Sequence, residues 1–318
     1  MSELRYHPFL GQWVITATHR QDRTFHPPAD FCPLCPTRPG AFPTEVPFPD
    51  YDIVVFENKF PSLLPNPSGP AVIGSPSMPV RPSGGVCEVV CYTQDHNATF
   101  ATLPISKVRK LCRVWQERYL ELAARDSIEY VFIFENKGKE IGVTLSHPHG
   151  QIYGYPFVPP SMATRLANER AHLERTGKSL FETWLAEERG QREITRNETF
   201  VALVPFFARY PFEVHVVATE PLPSLGEATH KQLDDLAMIL SDVTQRLDRL
   251  FGFSMPYIMA MYQAPTTSGY ALSRLHIEFY PPYRTATKLK YLAGSEAGAG
   301  AFINDTLPEE SAALLRNI

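Results

Sequence analysis

The sequence predicts an α+β protein made of two copies of one unit, each a mainly antiparallel sheet with one packed helix. Two observations predict this. The order strand, helix, strand, polar motif occurs in the first half and again in the second. The two motifs also align without a gap: SHPHGQIY at 146–153 stands above SRLHIEFY at 273–280, with Ser, His and Tyr in register.

The first half begins irregularly. Thirty of the 318 residues are proline, and many of them fall between 25 and 85. Proline removes a backbone donor and disfavours helix in the residue before it, so this region must be irregular apart from one short strand. Residues 85–92, GVCEVVCY, alternate and predict a strand. Over 105–122, Ile105, Val108, Leu111, Cys112, Trp115, Tyr119 and Leu122 recur at helical spacing. Residues 129–135, EYVFIFE, predict the next strand, and the first motif follows. In the second half, 212–218 (FEVHVVA) and 256–261 (PYIMAM) predict strands. Between them, 230–251 places Leu233, Leu236, Leu240, Val243, Leu247 and Leu250 on one helical face. The charged stretch 159–192 predicts a helical connector, which divides the chain into 1–158, 159–192 and 193–318.

Composition narrows the function classes. The chain is 44% hydrophobic and 20% charged with net charge −4, and has no basic stripe of the kind nucleic acid requires. No apolar run reaches membrane-spanning length, and the start MSELRYHPFLGQW lacks the layout of a secretion signal. The five cysteines, Cys32, Cys35, Cys87, Cys91 and Cys112, form no disulfide framework and fit a reducing compartment. A cytoplasmic protein is expected. Cys87 and Cys91 share a strand face and Cys112 lies on a helix, so all three read as buried apolar residues.

Alternate residues of a strand share a face, so HPHGQIY should project His147, His149 and Gln151 into one pocket. Taken alone, that pattern fits a polar strand face equally well. Cys32-Pro-Leu-Cys35 has the spacing zinc uses, which a redox pair shares. The second motif has diverged: Arg274 replaces His147 and Glu278 replaces Gln151, while His276 matches His149.

HPHGQIY, preceded by FENKGKEIGVTLS, resembles the active-site segment of galactose-1-phosphate uridylyltransferases, in the histidine-triad superfamily. GQWVITATHRQDR, CPLC, FENKFPSL, QDHNATF and FYPPYRTATKLKYLAGSE extend the resemblance along nearly the whole chain. It implies a duplicated histidine-triad fold. It also implies transfer of UMP from UDP-glucose to galactose 1-phosphate, giving UDP-galactose and glucose 1-phosphate. His149 would be the nucleophile, forming a covalent uridylyl-histidine in a two-step reaction. Gly150 beside it is expected to let backbone approach the phosphates. Hydrolase branches of the superfamily resemble HxHxH. An amide at the third place, Gln151, can donate a hydrogen bond but cannot act as acid or base, which suits a transferase.

The resemblance further implies one structural zinc held by Cys32, Cys35, His96 and His147. Some family members carry a second metal, whose positions correspond here to Arg165, Tyr262, His276 and Glu278; with one histidine among them, no second metal is expected. Arg20 and Arg23 match phosphate-binding arginines. Asn58 and Phe60 match nucleoside contacts, with Leu34, Phe56 and Val89 around the base. Asn136, Gly142 and Thr144 match residues around the phosphates. Lys290 and Glu296 match hexose contacts, although Ser295 stands where a tyrosine is expected. A homodimer with sites shared between chains follows from the same resemblance. The nearest alternative is adenylyl transfer by an ADP-glucose phosphorylase-like enzyme on the same scaffold.

Overall fold

A computed structural model describes residues 2–24, 31–188, 190–270 and 273–318, the side chains of 22–24 excepted. The first half contains β1 (Ser2–His7), β2 (Gln12–Ala17), β3 (Val54–Glu57), β4 (Val80–Pro82), β5 (Val86–Cys91), helix α1 (Ile105–Ala123), β6 (Tyr130–Lys137) and β7 (His149–Tyr155). Helices α2 (Pro160–Thr176) and α3 (Leu180–Glu187) connect the halves. The second half contains β8 (Glu193–Arg196), β9 (Phe200–Leu203), β10 (Val214–Ala218), α4 (His230–Leu250), β11 (Tyr257–Tyr262) and β12 (His276–Tyr280). The hairpin β13 (Tyr283–Thr285) and β14 (Lys288–Leu289) leads to helix α5 (Pro308–Arg316).

The two halves share one sheet rather than owning one each. Nine strands run β3-β5-β7-β6-β11-β12-β10-β9-β8, every neighbouring pair antiparallel. The join is β6 against β11, from Ile133↔Met261 to Lys137↔Tyr257. Outward from that seam the order mirrors itself, β6-β7-β5 on one side and β11-β12-β10 on the other. Pairing the seam edges removes two exposed strand edges that separate units would leave open.

One face of this sheet is the core. Val86 and Val90, Val131 and Ile133, Ile152, Val214 and Val216, Met259 and Met261, Ile277 and Phe279 all point to that side. Helices α1 and α4 cover them with the periodic residues named above except Ile105, which stays exposed; Leu111, Leu122, Leu233 and Leu247 are wholly buried. Trp115 of α1 is also fully buried, stacked on Phe100 at 6.2 Å. Helix α4 starts on a capping box in which Thr229 and Gln232 satisfy each other's backbone donors. Cys87, Cys91 and Cys112 are buried, the first two on the opposite face of β5 from Val90.

A carboxyl lies inside this core. Glu135 of β6 is buried, with the hydroxyls of Tyr257 and Tyr92 donating to Oε2 at 3.3 and 3.5 Å. Burial pushes its pKa up to about 7, against the opposing pull of Lys137. Between about pH 4.5 and 7 the folded chain therefore keeps a proton that the unfolded chain releases. Stability is full below that window and falls as pH rises through it, by on the order of 3 kcal/mol at 1.36 kcal/mol per pKa unit. Glu135→Gln is expected to melt above the parent at pH 8 and with it at pH 4.5; parallel melting curves at both pH values would contradict this.

Candidate active site and metal centre

Cys32, Cys35, His96 and His147 come from three separate segments, yet their ligating atoms all lie within 4.8 Å of one another. The Cys35 Sγ is 3.5 Å from Nδ1 of His96 and 3.5 Å from Nδ1 of His147. Metal bonds of about 2.3 Å to sulfur and about 2.0–2.1 Å to nitrogen, meeting at a tetrahedral angle, separate those atoms by about 3.5–3.6 Å. The donor set fits zinc. Each ring turns Nδ1 inward and engages Nε2 elsewhere. His147 Nε2 lies 2.8 Å from the Thr93 carbonyl and 2.7 Å from the Tyr51 hydroxyl, and His96 Nε2 lies 3.0 Å from Ser146 Oγ. Such outer partners fix the tautomer of a metal-binding imidazole. Burial lowers the His147 pKa to about 4, so the ring is neutral, as a ligand must be. Burial, together with neighbouring Cys32, pushes the Cys35 thiol up to about 11. A divalent cation is the countercharge that reverses this.

His147 does not lie on the strand that the alternation implied. β7 starts at His149, because Pro148 has no N–H for the ladder. His147 sits in the preceding bend, and this is what frees its side chain to reach the cysteines. His149, Gln151 and Tyr153 then alternate on the face away from the helices, while Gly150, Ile152 and Gly154 face the core. His149 Nδ1 is 2.7 Å from the His147 carbonyl oxygen. A carbonyl only accepts, so Nδ1 carries the proton and Nε2 the lone pair. The ring is thus hung from the backbone of the residue that a metal would hold.

Gly150 is also required on the core side of its strand. A side chain there would collide with the Tyr92 hydroxyl and come within 3.1 Å of the Phe134 carbonyl, on the core side. The glycine makes room for Tyr92. Gly150→Ala is expected to cost about 1–3 kcal/mol and to slow catalysis by tilting His149. An unchanged melting temperature would show that Tyr92 yields freely.

Leu34, Val89 and Phe56 meet in one apolar cluster beside Cys91, Tyr51 and Leu145, next to the cysteine loop. Arg20, on a short 3₁₀ turn, donates to the Phe60 carbonyl at 3.0 Å. Asn58 is committed inside the protein: the Phe60 N–H donates to its Oδ1 at 2.9 Å, and its Nδ2 donates to Gln151 Oε1 at 3.3 Å. Asn136 lines a small cavity beside His149, of about 40 Å³. Gly142 is left-handed at φ 83° where a 3₁₀ turn ends, and Thr144 follows in the loop to the motif. The Arg23 side chain lies outside the described residues. Lys290 and Glu296 pair at 3.0 Å within the tail, and Lys290 also donates to the Ile303 carbonyl. Tyr51, Tyr92 and Tyr153 were not foreseen. Tyr153 was within reach of the alternation argument, two places beyond Gln151; Tyr51 and Tyr92 carry no sequence signal, since only folding brings them to His147 and Gly150.

Family models match nearly the whole chain. Residues 1–159 match the N-terminal domain of galactose-1-phosphate uridyl transferase, and 166–318 its C-terminal domain. The chain belongs to the galactose-1-phosphate uridylyltransferase family of enzymes. It is 40% identical to the galactose-1-phosphate uridylyltransferase of Thermotoga maritima, over 99% of this chain and 98% of that one. The enzyme of that name from Streptomyces lividans is 40% identical, over 89% and 77%. Among solved structures, a uridylyltransferase at 33% identity superposes with a TM-score of 0.89, covering 99% and 97%. An ADP-glucose phosphorylase from Arabidopsis thaliana, 23% identical with a TM-score of 0.75, shares the fold.

Within this uridylyltransferase-family chain the second half repeats the first-half hook and then diverges. His276 Nδ1 lies 2.7 Å from the Arg274 carbonyl, matching His149 on His147. Its Nε2, however, lies 2.9 Å from Arg165 Nη1 and 3.5 Å from Glu278 Oε1, enclosed by that ion pair. The same guanidinium pairs with Glu278 at 2.7 Å and lies 4.3 Å over the Tyr262 ring. Glu213, His215 and Glu278 also cluster here, but Arg209 reaches Glu278 at 3.4 Å and the Arg209 and Tyr210 N–H groups donate to Glu213. Two guanidiniums supply the positive charge that a cation would bring. Despite its burial, Glu278 is held well below the usual carboxylate range by His215, His276 and Arg165. A cleft of about 1130 Å³ opens above this network, lined by Phe181, Trp184 and Phe207 among others. No helix among the described residues is long and apolar enough to cross a membrane.

Proposed function

We propose that the enzyme moves UMP from UDP-glucose to galactose 1-phosphate through a uridylyl-histidine at His149. Nε2 of His149 attacks the α-phosphorus, a P–N bond forms, and the P–O bond to glucose 1-phosphate breaks with the electron pair leaving on that phosphate. A phosphate oxygen of galactose 1-phosphate then attacks the same phosphorus, and His149 departs with its lone pair restored. The observation that carries this reading is the His149 tautomer. With Nδ1–H held by the His147 carbonyl, Nε2 is basic and needs no general base to deprotonate it. Gln151, an amide two residues on, offers hydrogen bonds to the phosphoryl group but no acid or base that would activate water on the intermediate. Uridine recognition falls to Leu34, Phe56 and Val89 with Phe60. Phosphate contacts fall to Arg20, Arg23, Asn136, Gly142 and Thr144, and hexose contacts to Lys290 and Glu296.

One zinc per chain, on Cys32, Cys35, His96 and His147, would tie the proline-rich loop to the nucleophile's strand as a structural crosslink. Residues 1–158 form the half that carries zinc and nucleophile, 159–192 the connector and 193–318 the diverged half. The enzyme works as a cytoplasmic homodimer whose sites draw residues from both chains.

The test is incubation with UDP-glucose and, separately, ADP-glucose without acceptor, followed by intact mass and peptide mapping. A uridylyl adduct on His149 that galactose 1-phosphate discharges is the expected result. An adenylyl adduct in its place would transfer the chain to the phosphorylase reaction. No adduct from either, with folded protein, would end the covalent mechanism.

A further inference from the structure

The Gln151 side chain is buried at the floor of the site, and an amide so placed can present either of two chemically opposite ends. Its NH₂ end would stabilise a phosphoryl oxygen, whereas its carbonyl end would repel one. Which end faces the substrate follows from a chain of partners that starts at an unambiguous donor. The Phe60 backbone N–H points at Asn58 at 2.9 Å, so the atom it meets must be Oδ1. The other end of Asn58, Nδ2, is therefore the one 3.3 Å from Gln151, and the atom receiving it must be Oε1. Asn58 has its own backbone fixed as well, donating to the Cys87 carbonyl at 2.8 Å.

A second donor fits that orientation and adds to it. The Tyr153 hydroxyl lies 3.4 Å from the same Oε1. An amide oxygen only accepts, so with Oε1 turned inward the phenol's one hydrogen is directed to Gln151. The Tyr153 ring cannot swing away, being buried edge-on against Phe134 at 5.1 Å.

We propose that Asn58 and Tyr153 are positioning residues that hold Gln151 Oε1 inward, so that Nε2 is the end presented to the phosphoryl group in the transfer step. This rests on the nucleotidyl-transfer reading above. It gives Asn58 a task other than nucleoside contact, and it extends the machinery to a residue outside the HxHxQ motif.

The test is a mutant cycle read by the single-turnover rate of nucleotidyl–His149 formation, with the dissociation constant for UDP-glucose measured separately. Tyr153→Phe removes one donor and is expected to slow adduct formation about tenfold, the worth of one hydrogen bond, with the dissociation constant within about twofold of wild type. Asn58→Asp replaces the Nδ2 donor with an acceptor, which drives the amide to flip, and is expected to cost about 100-fold. In a Gln151→Ala background neither change should slow the reaction further, since the group they orient is gone. Penalties that persist in that background, or losses confined to substrate affinity, would overturn the proposal. The transfer reading fails separately, by absence of any adduct in the wild type. In that case Gln151 side-chain amide hydrogen exchange in the ligand-free protein decides: equal exchange in wild type and Tyr153→Phe refutes the positioning role, and faster exchange in the variant supports it.

Discussion

His149→Ala is expected to abolish adduct formation and to lower turnover by about 10⁴-fold or more, the scale seen when a covalent nucleophile is removed. The fold should survive. His149 is only partly buried, and the His147 backbone carbonyl that its ring engages can be satisfied by other donors. Steady-state assay, mass spectrometry and melting temperature together separate the outcomes. A variant that keeps more than about a hundredth of the activity would mean that UMP passes directly between the two sugar phosphates, because no covalent route survives loss of the imidazole. A small imidazole-containing additive that restores the reaction would place the missing group at the attacking atom.

The second large effect concerns the metal centre. Cys35→Ser is expected to reduce bound zinc from the one per chain proposed above towards zero, weakening retention by at least about 100-fold, since changes even to outer-shell partners cost 10–100-fold. Catalysis should fall with it, by about 100-fold, although Cys35 touches no reacting atom. The path is short. Cys35 meets His147, the His147 carbonyl holds His149 Nδ1, and a displacement of about 1 Å at a reacting group costs about that much. Zinc content by atomic emission and the single-turnover rate check it together. Full activity in a protein stripped of zinc would show that Tyr51 and Thr93 hold His147 in place without help.

These two effects differ in how far sequence alone foretells them. The alternation in 85–92 and the helical spacing in 105–122 and 230–251 are local signals, so the strands and helices they mark could be read directly. β5 and α1 lie within about a residue of their expected bounds, because burying one face of each segment is the same physics that the pattern records. The duplication could also be read, since it needs only two aligned motifs. The motif pointed to His149 and Gln151 through resemblance, and the CxxC offered two ligands whose spacing a redox pair shares. His96 and His147 joined those ligands through the same resemblance, because no spacing rule connects residues 61 and 112 positions from Cys35.

Tertiary structure decided the rest. The halves could have formed two sheets, and only the antiparallel register of β6 on β11 merges them. Gly150 looked like an opening for phosphates, yet the collision it avoids is with Tyr92, from a different strand. Arg165 looked like a lost ligand, yet folding delivers its guanidinium to His276 and Glu278 as an internal cation. By itself the sequence determined the elements and the repeat, since each depends on periodicity or on a short contiguous motif, while the roles proposed for His149 and Gln151 come with the family resemblance. Which nitrogen of His149 is basic, and which end of Gln151 faces outward, depends on carbonyls and donors brought from elsewhere in the chain. Hydrogen bonds act over about 3 Å, and only the folded backbone places those partners at that range.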